Sequence, residues 1–353
     1  MADKKATIYD IAEQTGVSVA TVHRALNDKA RIRPETKQRI LEVAKDLGYK
    51  VNVAAQGLRR LPIHLGAILF CPVEEYVDAI VEGITASGHE LEKYNVSINI
   101  RKLPYTDNHR CLSQTCDLIR AFAKEGYQGI ILFMSATTDE TEELTALVND
   151  LSESGIRFAT VANDLPDLRR DLHVGVDAFM AGRMAAELLS FRCAEKEVAL
   201  LVASRHSPVN VEYINGFFSY AARGIFSAIH VYEHFDDSRQ VTAVTERMLD
   251  QHLDLSGVYM TTASSALACR SIADSRRNLA VITTDVLSET PHLLQTGVAN
   301  ATIFQNPYRQ GKTVVRQLYN SIISHVSDSI RLIPPQVVLS SNIDAYLSSG
   351  DER

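Results

Sequence analysis

Four side chains able to read or grip a nucleic acid fall close together: Thr21, His23, Arg24 and Asn27, within the stretch SVATVHRALN. Thr, His and Asn offer donors and acceptors to base edges, and Arg forks onto guanine or onto a phosphate. With Val19, Val22 and Leu26 turned inward at helical spacing, these four share an outward face with Ala20, whose methyl permits close approach. The chemistry on offer is hydrogen bonding in a major groove. A solvated polar face on a small helical bundle is the plain alternative, and charge weighs between the two. Residues 1–60 hold 12 Lys and Arg against 7 Asp and Glu, a net of +5, while the remainder holds 24 against 36, a net of −12. A basic end on an acidic body is the asymmetry expected where one part meets phosphate.

A second set of polar residues stands just after apolar runs. Glu74, Glu75 and Tyr76 follow LGAILF, Asn163 and Asp164 follow FATVA, Thr262 and Ser264 follow GVYM, Asp285 follows AVITT, and Gln305 follows ATIF. Carboxylates and amides of this kind pair with vicinal hydroxyls, and a Tyr covers an apolar ring face. Taken singly, each is equally an ordinary cap or loop residue. Signs of catalysis are weak. The GKT at Gly311–Thr313 has Asn306 where a phosphate-binding loop needs its first Gly, and it reads better as the start of an amphipathic helix. There is no Gly-rich dinucleotide fingerprint and no nucleophile elbow. His109, Cys111 and Cys116 lie near one another, but nothing completes a four-ligand zinc site. Five scattered cysteines read as free thiols of a cytosolic protein, and neither a metal nor a cofactor is expected.

The elements that must position these residues are of two kinds. Up to Gly48 the apolar spacing predicts three short helices, from Ile8, Ile11 and Ala12, then Val19, Val22 and Leu26, then Ile40, Val43, Ala44 and Leu47. Thr7 with Asp10 forms a capping pair, Ser18 an N-cap, and Gly16 the sharp turn between the first two helices. Pro34 suits the first position of the third helix and Gly48 its stop. From Leu65 the rhythm becomes strand and helix in alternation. LGAILF, VSINI, GIILFM and FATVA make a first half. HVGV, VALLVA, AIHVYE, GVYM, AVITT and ATIF make a second, with a late QVVL. Strands this apolar imply parallel sheets covered on both faces, and about a dozen are many for one open sheet, so two lobes are expected. No run reaches the length of a membrane span, and the start MADKKATIYD lacks a secretory signal, so a cytoplasmic location is expected.

The stretches TIYDIAEQTGVSVATVHRALN and RPETKQRILEVAKDLGYKVN together resemble the headpiece of the LacI/GalR (lactose/galactose repressor) family of bacterial transcription regulators. The resemblance implies an N-terminal all-α helix-turn-helix headpiece joined to an α/β, two-lobed, periplasmic-binding-protein-like (type I) effector domain. It divides the chain into a headpiece at 1–50, a hinge helix or linker at 51–62, a two-lobed effector-binding and dimerisation domain at 63–347, and a tail at 348–353. It implies no enzyme but a homodimeric regulator, a repressor by default, that binds near-palindromic operator DNA and answers to a small-molecule effector, a sugar or sugar derivative. By position the DNA contacts are Thr7, Tyr9, Ala20, Thr21, His23, Arg24, Asn27, Arg31 and Tyr49. In the hinge, Leu58 is the apolar wedge, with Asn52, Ala55 and Gln56 lining the minor groove. A flexible linker is the alternative there, since Gly57 weakens so short a helix. The fold so implied puts the effector at the carboxyl ends of the strands, so the pocket is expected to comprise Glu75, Tyr76, Asn163, Asp164, Tyr213, Thr262, Asp285 and Gln305, of which Asp285 and Gln305 match the family's ligand-binding positions best. Several residues depart from the family pattern, among them Gln56 and Gly57 in the hinge, near which Arg and Ser are more usual. His23 stands where Ser is usual, and either reads a base or fills space. Arg33 stands where a Ser or Thr cap is usual, Tyr213 where an Arg grips sugar hydroxyls, and Thr262 where Asn or Asp is common. Two other classes stay open: a DNA-tethered sugar-processing enzyme, recognised by turnover, and an architectural DNA protein whose affinity no metabolite changes.

Overall fold

The computed structural model describes residues 7–26, 32–47, 61–134, 141–165, 167–324 and 329–347, and for residues 8, 23, 26 and 329 the backbone alone. By contact the chain divides into Met1–Leu61 with Lys93–Asn95, and Pro62–Glu92 with Val96–Arg353.

In the first unit, α1 (Ile8–Thr15), α2 (Val19–Leu26) and α3 (Pro34–Asp46) enclose a small core of Ile11, Val22, Ala25, Ile40 and Ala44. Thr7 and Asp10 close a reciprocal capping box, with the Asp10 carboxylate accepting from both the backbone and the hydroxyl of Thr7 at 2.6 Å. Gly16 ends α1 at φ 70°, a left-handed conformation that costs an L side chain, and so makes the turn. Ser18 Oγ accepts from the Thr21 backbone nitrogen at 3.2 Å and starts α2. Pro34 opens α3 behind Arg33, which supplies no side-chain cap bond. Ala25 joins the inward face, a position the apolar spacing did not single out. Gly48, the residues 48–60 that hold most of the hinge, and the tail 348–353 lie outside the described residues.

The second unit carries two six-stranded sheets. The first runs β2 (Val96–Lys102), β1 (Ile63–Phe70), β3 (Gly129–Met134), β4 (Arg157–Val161), β5 (Leu172–Val176), β11 (Ser329–Ile333). The second runs β7 (Ala228–Glu233), β6 (Glu197–Val202), β8 (Leu255–Met260), β9 (Ala280–Thr284), β10 (Ala301–Phe304), β12 (Gln336–Val338). All neighbours are parallel except β10 and β12. The helices are α4 (Glu74–Glu92), α5 (Asn108–Lys124), α6 (Glu142–Glu153), α7 (Ala178–Cys193), α8 (Pro208–Ala221), α9 (Ser238–Gln251), α10 (Ser265–Asp274), α11 (Thr290–Gln295), α12 (Pro307–Ser324) and α13 (Asp344–Leu347). Among the described residues none is long and apolar enough to cross a membrane.

Two features differ from the sequence reading. HVGV does not open the second half: as β5 it pairs with β4 and belongs to the first sheet. SIRLI, unforeseen, returns as β11 to close that sheet beside β5. The chain therefore passes between lobes after β5, after β10, and between β11 and β12. Each lobe also contains one tight helix crossing. A Cβ on Gly83 of α4 would lie 2.0 Å from the Tyr308 carbonyl oxygen of α12, and one on Gly182 of α7 would lie 2.1 Å from that of Tyr213 in α8. Only Gly lets these backbones approach so closely. GKT lies inside α12, as a helix and not a phosphate-binding loop.

Candidate functional site

The carboxyl ends of the two sheets face one another across a cleft that contains a cavity of about 280 Å³. Tyr76, Asn163, Tyr213, Thr262 and Gln305 all line it. Tyr76 comes from the first turn of α4, Asn163 from the loop after β4, Tyr213 from the middle of α8, and Gln305 from the end of β10. The remaining three expected residues stand elsewhere. Asp285 is fully buried one layer behind the cavity. Asp164 turns to the Arg170 guanidinium, at 2.5 Å, and to the Thr160 hydroxyl, at 2.9 Å. Burial works against the charged form of Asp164, but Arg170 and His173 hold its carboxyl below the usual range. Glu75 stands at the outer mouth, where its carboxylate accepts from Ser288 of the other lobe.

A relay forms the floor. Tyr213 donates to Gln305 Oε1 at 2.9 Å, and Gln305 Nε2 donates to Asp285 Oδ2 at 2.6 Å. The Gln305 backbone nitrogen donates to Asp285 Oδ1 at 3.0 Å. Burial pushes the Asp285 carboxyl up to about 7, with the Gln305 bonds opposing. The relay fixes the Gln305 amide so that one ligand-facing surface is presented in a single orientation.

The lining also includes residues the sequence reading passed over: Asn210, Thr261, Phe235 and Asp236, with Phe133 and Cys71 from the first lobe. Thr261 donates to Asn210 Oδ1 at 2.9 Å, leaving the Asn210 amide nitrogen for a ligand. His234, held neutral by burial that brings it down to about 4, accepts from the Asp236 backbone nitrogen at Nδ1. Its Nε2 therefore carries the proton and donates to Thr262 Oγ1 at 3.3 Å, which turns the Thr262 hydroxyl proton toward the Asp236 carboxylate. Burial raises the Asp236 carboxyl to about 6. Phe235 and Asp236 follow β7 just as the named residues follow their own strands, so the same rule would have found them. Thr261, directly after β8, follows the same rule, whereas Asn210, inside α8, carried no such signal. Left-handed backbone recurs at these ends, in Ala162, Phe235, Asp236, Asp285 and Asn306, at φ between 53° and 70°. Non-glycine residues in that region are strained, and such strain gathers at binding sites.

In the first unit, Tyr9 is 68% exposed, and Ala20 and Arg24 are exposed on α2. Thr21 is half-buried, its hydroxyl 2.9 Å from that of Ser18, and Thr7 is occupied in the capping box. Asn27, Arg31, Tyr49, Asn52, Ala55, Gln56 and Leu58 lie outside the described residues, as does the side chain of His23.

Residues 7–52 match the family described as bacterial regulatory proteins, lacI family, and residues 72–323 match the periplasmic binding protein domain family. The chain belongs to the periplasmic binding protein domain family and carries a lacI-family DNA-binding segment at its amino end. Among its lacI-family relatives, the HTH-type transcriptional regulator pepR1 of Lactobacillus delbrueckii subsp. lactis is 26% identical over 233 residues, which is 65% of each chain. Catabolite control protein A of Priestia megaterium is 44% identical over 52 residues, covering 15% of this chain and 16% of its own. The matched stretches thus span less than two thirds of these regulators. The body has the fold of GanP, a glucose-galactose binding protein from Geobacillus stearothermophilus, with a TM-score of 0.69 and 20% identity over 80% of this chain and 99% of that one. The lacI-family headpiece and the two-lobed binding fold thus occupy one polypeptide, as expected from the sequence.

Proposed function

We propose that this chain is a lacI-type regulator: a cytoplasmic, homodimeric transcription repressor whose affinity for a near-palindromic operator is set by a small molecule in the cleft. The observation that carries the reading is the cavity itself. It gathers Asn163, Asn210, Asp236, Thr262 and Gln305 with four aromatic neighbours, and none of its described lining residues is Lys or Arg. Such a lining suits a neutral polyhydroxy ring, with hydrogen bonds to its hydroxyls and aromatic cover for its apolar face. Among the described residues it offers no cation to neutralise a phosphate. A sugar or sugar derivative without a phosphate group is the effector class that fits.

In the headpiece, Arg24, Thr21 and Ala20 of α2, together with His23 and Asn27, enter the major groove, while Thr7, Tyr9, Arg31 and Tyr49 hold the backbone. Asn52, Ala55, Gln56 and Leu58 act in the minor groove at the dyad. The effector favours one arrangement of the lobes, and the lobe nearer the headpiece in sequence passes that preference to the hinge. Ligand and operator then couple reciprocally, typically by about 1–3 kcal/mol.

Selection of short duplexes by the purified full chain at moderate salt tests the DNA half, and should enrich one palindrome. Fluorescence anisotropy on that duplex, with neutral sugars added one at a time, tests the effector half. Asp285→Ala should leave operator binding intact and abolish the response. Enrichment of no common sequence would overturn the regulator reading, and a response unchanged in Asp285→Ala would displace the pocket.

A further inference from the structure

Away from the cleft, at the amino ends of the second sheet, lies a group that no part of this function uses. Glu197 opens β6, His230 is the third residue of β7, and His252 caps the C-terminus of α9. Glu197 Oε2 is 3.0 Å from His230 Nε2 and 3.5 Å from His252 Nδ1, and all three ligand atoms lie within 4.8 Å of one another. It is the one such group of three among the described residues. We propose that Glu197, His230 and His252 form a binding site for a divalent transition metal of the zinc type.

The hydrogen bonds around His252 carry the argument furthest. Tyr232 donates its hydroxyl proton to Gln251 Oε1 at 2.9 Å, so its oxygen is left to accept from His252 Nε2 at 2.8 Å. The His252 proton is thereby placed on Nε2, and Nδ1 turns a lone pair toward the Glu197 carboxylate. A lone pair facing an anionic oxygen is repulsive until a cation stands between them. Ligating histidines are likewise oriented by a hydrogen bond from the far ring nitrogen to an oxygen acceptor, the place Tyr232 takes here.

The spacing agrees. Zinc bonds of about 2.0–2.2 Å at a tetrahedral angle put ligand atoms about 3.3 Å apart, between the two distances to Glu197. Two imidazoles and a carboxylate are ligands for zinc and its neighbours, not for calcium or magnesium. The side chains are 21–30% exposed, which leaves a way in and a position for water. The two rings are stacked, with centroids 3.6 Å apart and planes 26° from parallel, so coordination draws them from the stack into a fan around the ion. The ion would join the edge-strand pair β6–β7 to the end of α9, far from the effector.

Calorimetric titration of the chelator-treated full chain with zinc chloride tests this. One saturable site per chain is expected, weakened about ten-fold or more in His230→Ala, His252→Ala and Glu197→Gln. Tyr232→Phe, which keeps the ring but removes the orienting hydroxyl, should lose several-fold. Cobalt chloride should give visible bands without a sulfur-to-cobalt band, which sets the site apart from the five free thiols. No saturable zinc binding by the unaltered chain would overturn the proposal and leave a proton as the only cation between Glu197 and His252. Undiminished binding in the His230→Ala/His252→Ala double variant, or a cobalt–sulfur band, would overturn it too.

Discussion

The Glu75 carboxylate in the first lobe accepts two hydrogen bonds from Ser288 in the second, one from the backbone nitrogen at 2.7 Å and one from the hydroxyl at 2.8 Å. The pair spans the mouth of the cleft and ties the lobes together with no ligand in between. Both residues are solvent-exposed, so water competes for each bond. Glu75→Ala should shift the balance between open and closed bodies by roughly three- to ten-fold toward open. Small-angle X-ray scattering of the effector-free chain should then give a larger radius of gyration. An unchanged profile would show that the lobes are held by other contacts.

Arg24 is exposed on α2, on the side opposite the buried Val22. Its truncation removes a charged, forked donor without touching the headpiece core. Arg24→Ala should weaken specific operator binding at least about ten-fold, the range of one good base contact. Melting of the variant should match the unaltered chain. A loss below two-fold in anisotropy would remove α2 as the reading helix.

Burial holds the Asp285 carboxyl near pH 7, against about 3.9 for an Asp in an unfolded chain. Between those values the folded protein keeps a proton that the unfolded chain has released, so stability falls as pH rises through the window. This contribution is complete below about pH 4 and gone above about pH 7. Asp285→Asn has no proton to lose. Relative to that variant, the unaltered protein should lose melting temperature steadily from pH 4 to 7 and then level off. Parallel curves across that range would show that the buried carboxyl is not raised.

The crossing of α7 and α8 leaves no room at Gly182 or Gly216, where an added Cβ would lie 2.1 Å and 2.0 Å from backbone oxygens. Gly216→Ala must push the helices apart, and overpacking of this kind typically costs about 1–3 kcal/mol. Because α8 carries Tyr213 and Asn210, the effector response should weaken along with the denaturation midpoint. A variant with native stability would mean that the helices can slide at little cost.

The helical headpiece was readable because each signal was local. Thr7 with Asp10, Gly16, Ser18 and Pro34 each act within a turn of their own position, and each does so in the structure. The strands were equally plain, from their apolar runs. What sequence order hides is the lobe to which a strand belongs. β5 looks like the start of a second half until its pairing with β4 places it in the first, and β11, with Ile330 and Leu332 exposed on a sheet edge, lacks the buried run that marks the others. The pocket divides in the same way. Residues immediately after a strand could be named, whereas Asn210 reaches the cavity from a helix. Asp164 follows the rule yet is claimed by Arg170, a partner that strand-end position does not reveal.

Gln305 touches the cavity with its side chain, and Asn306, the next residue, carries the chain out of the second lobe at φ 54°. A cavity wall and a crossing between lobes are thus adjacent links of one backbone. A displacement of Gln305 by a guest would reach Asn306 through a single peptide bond.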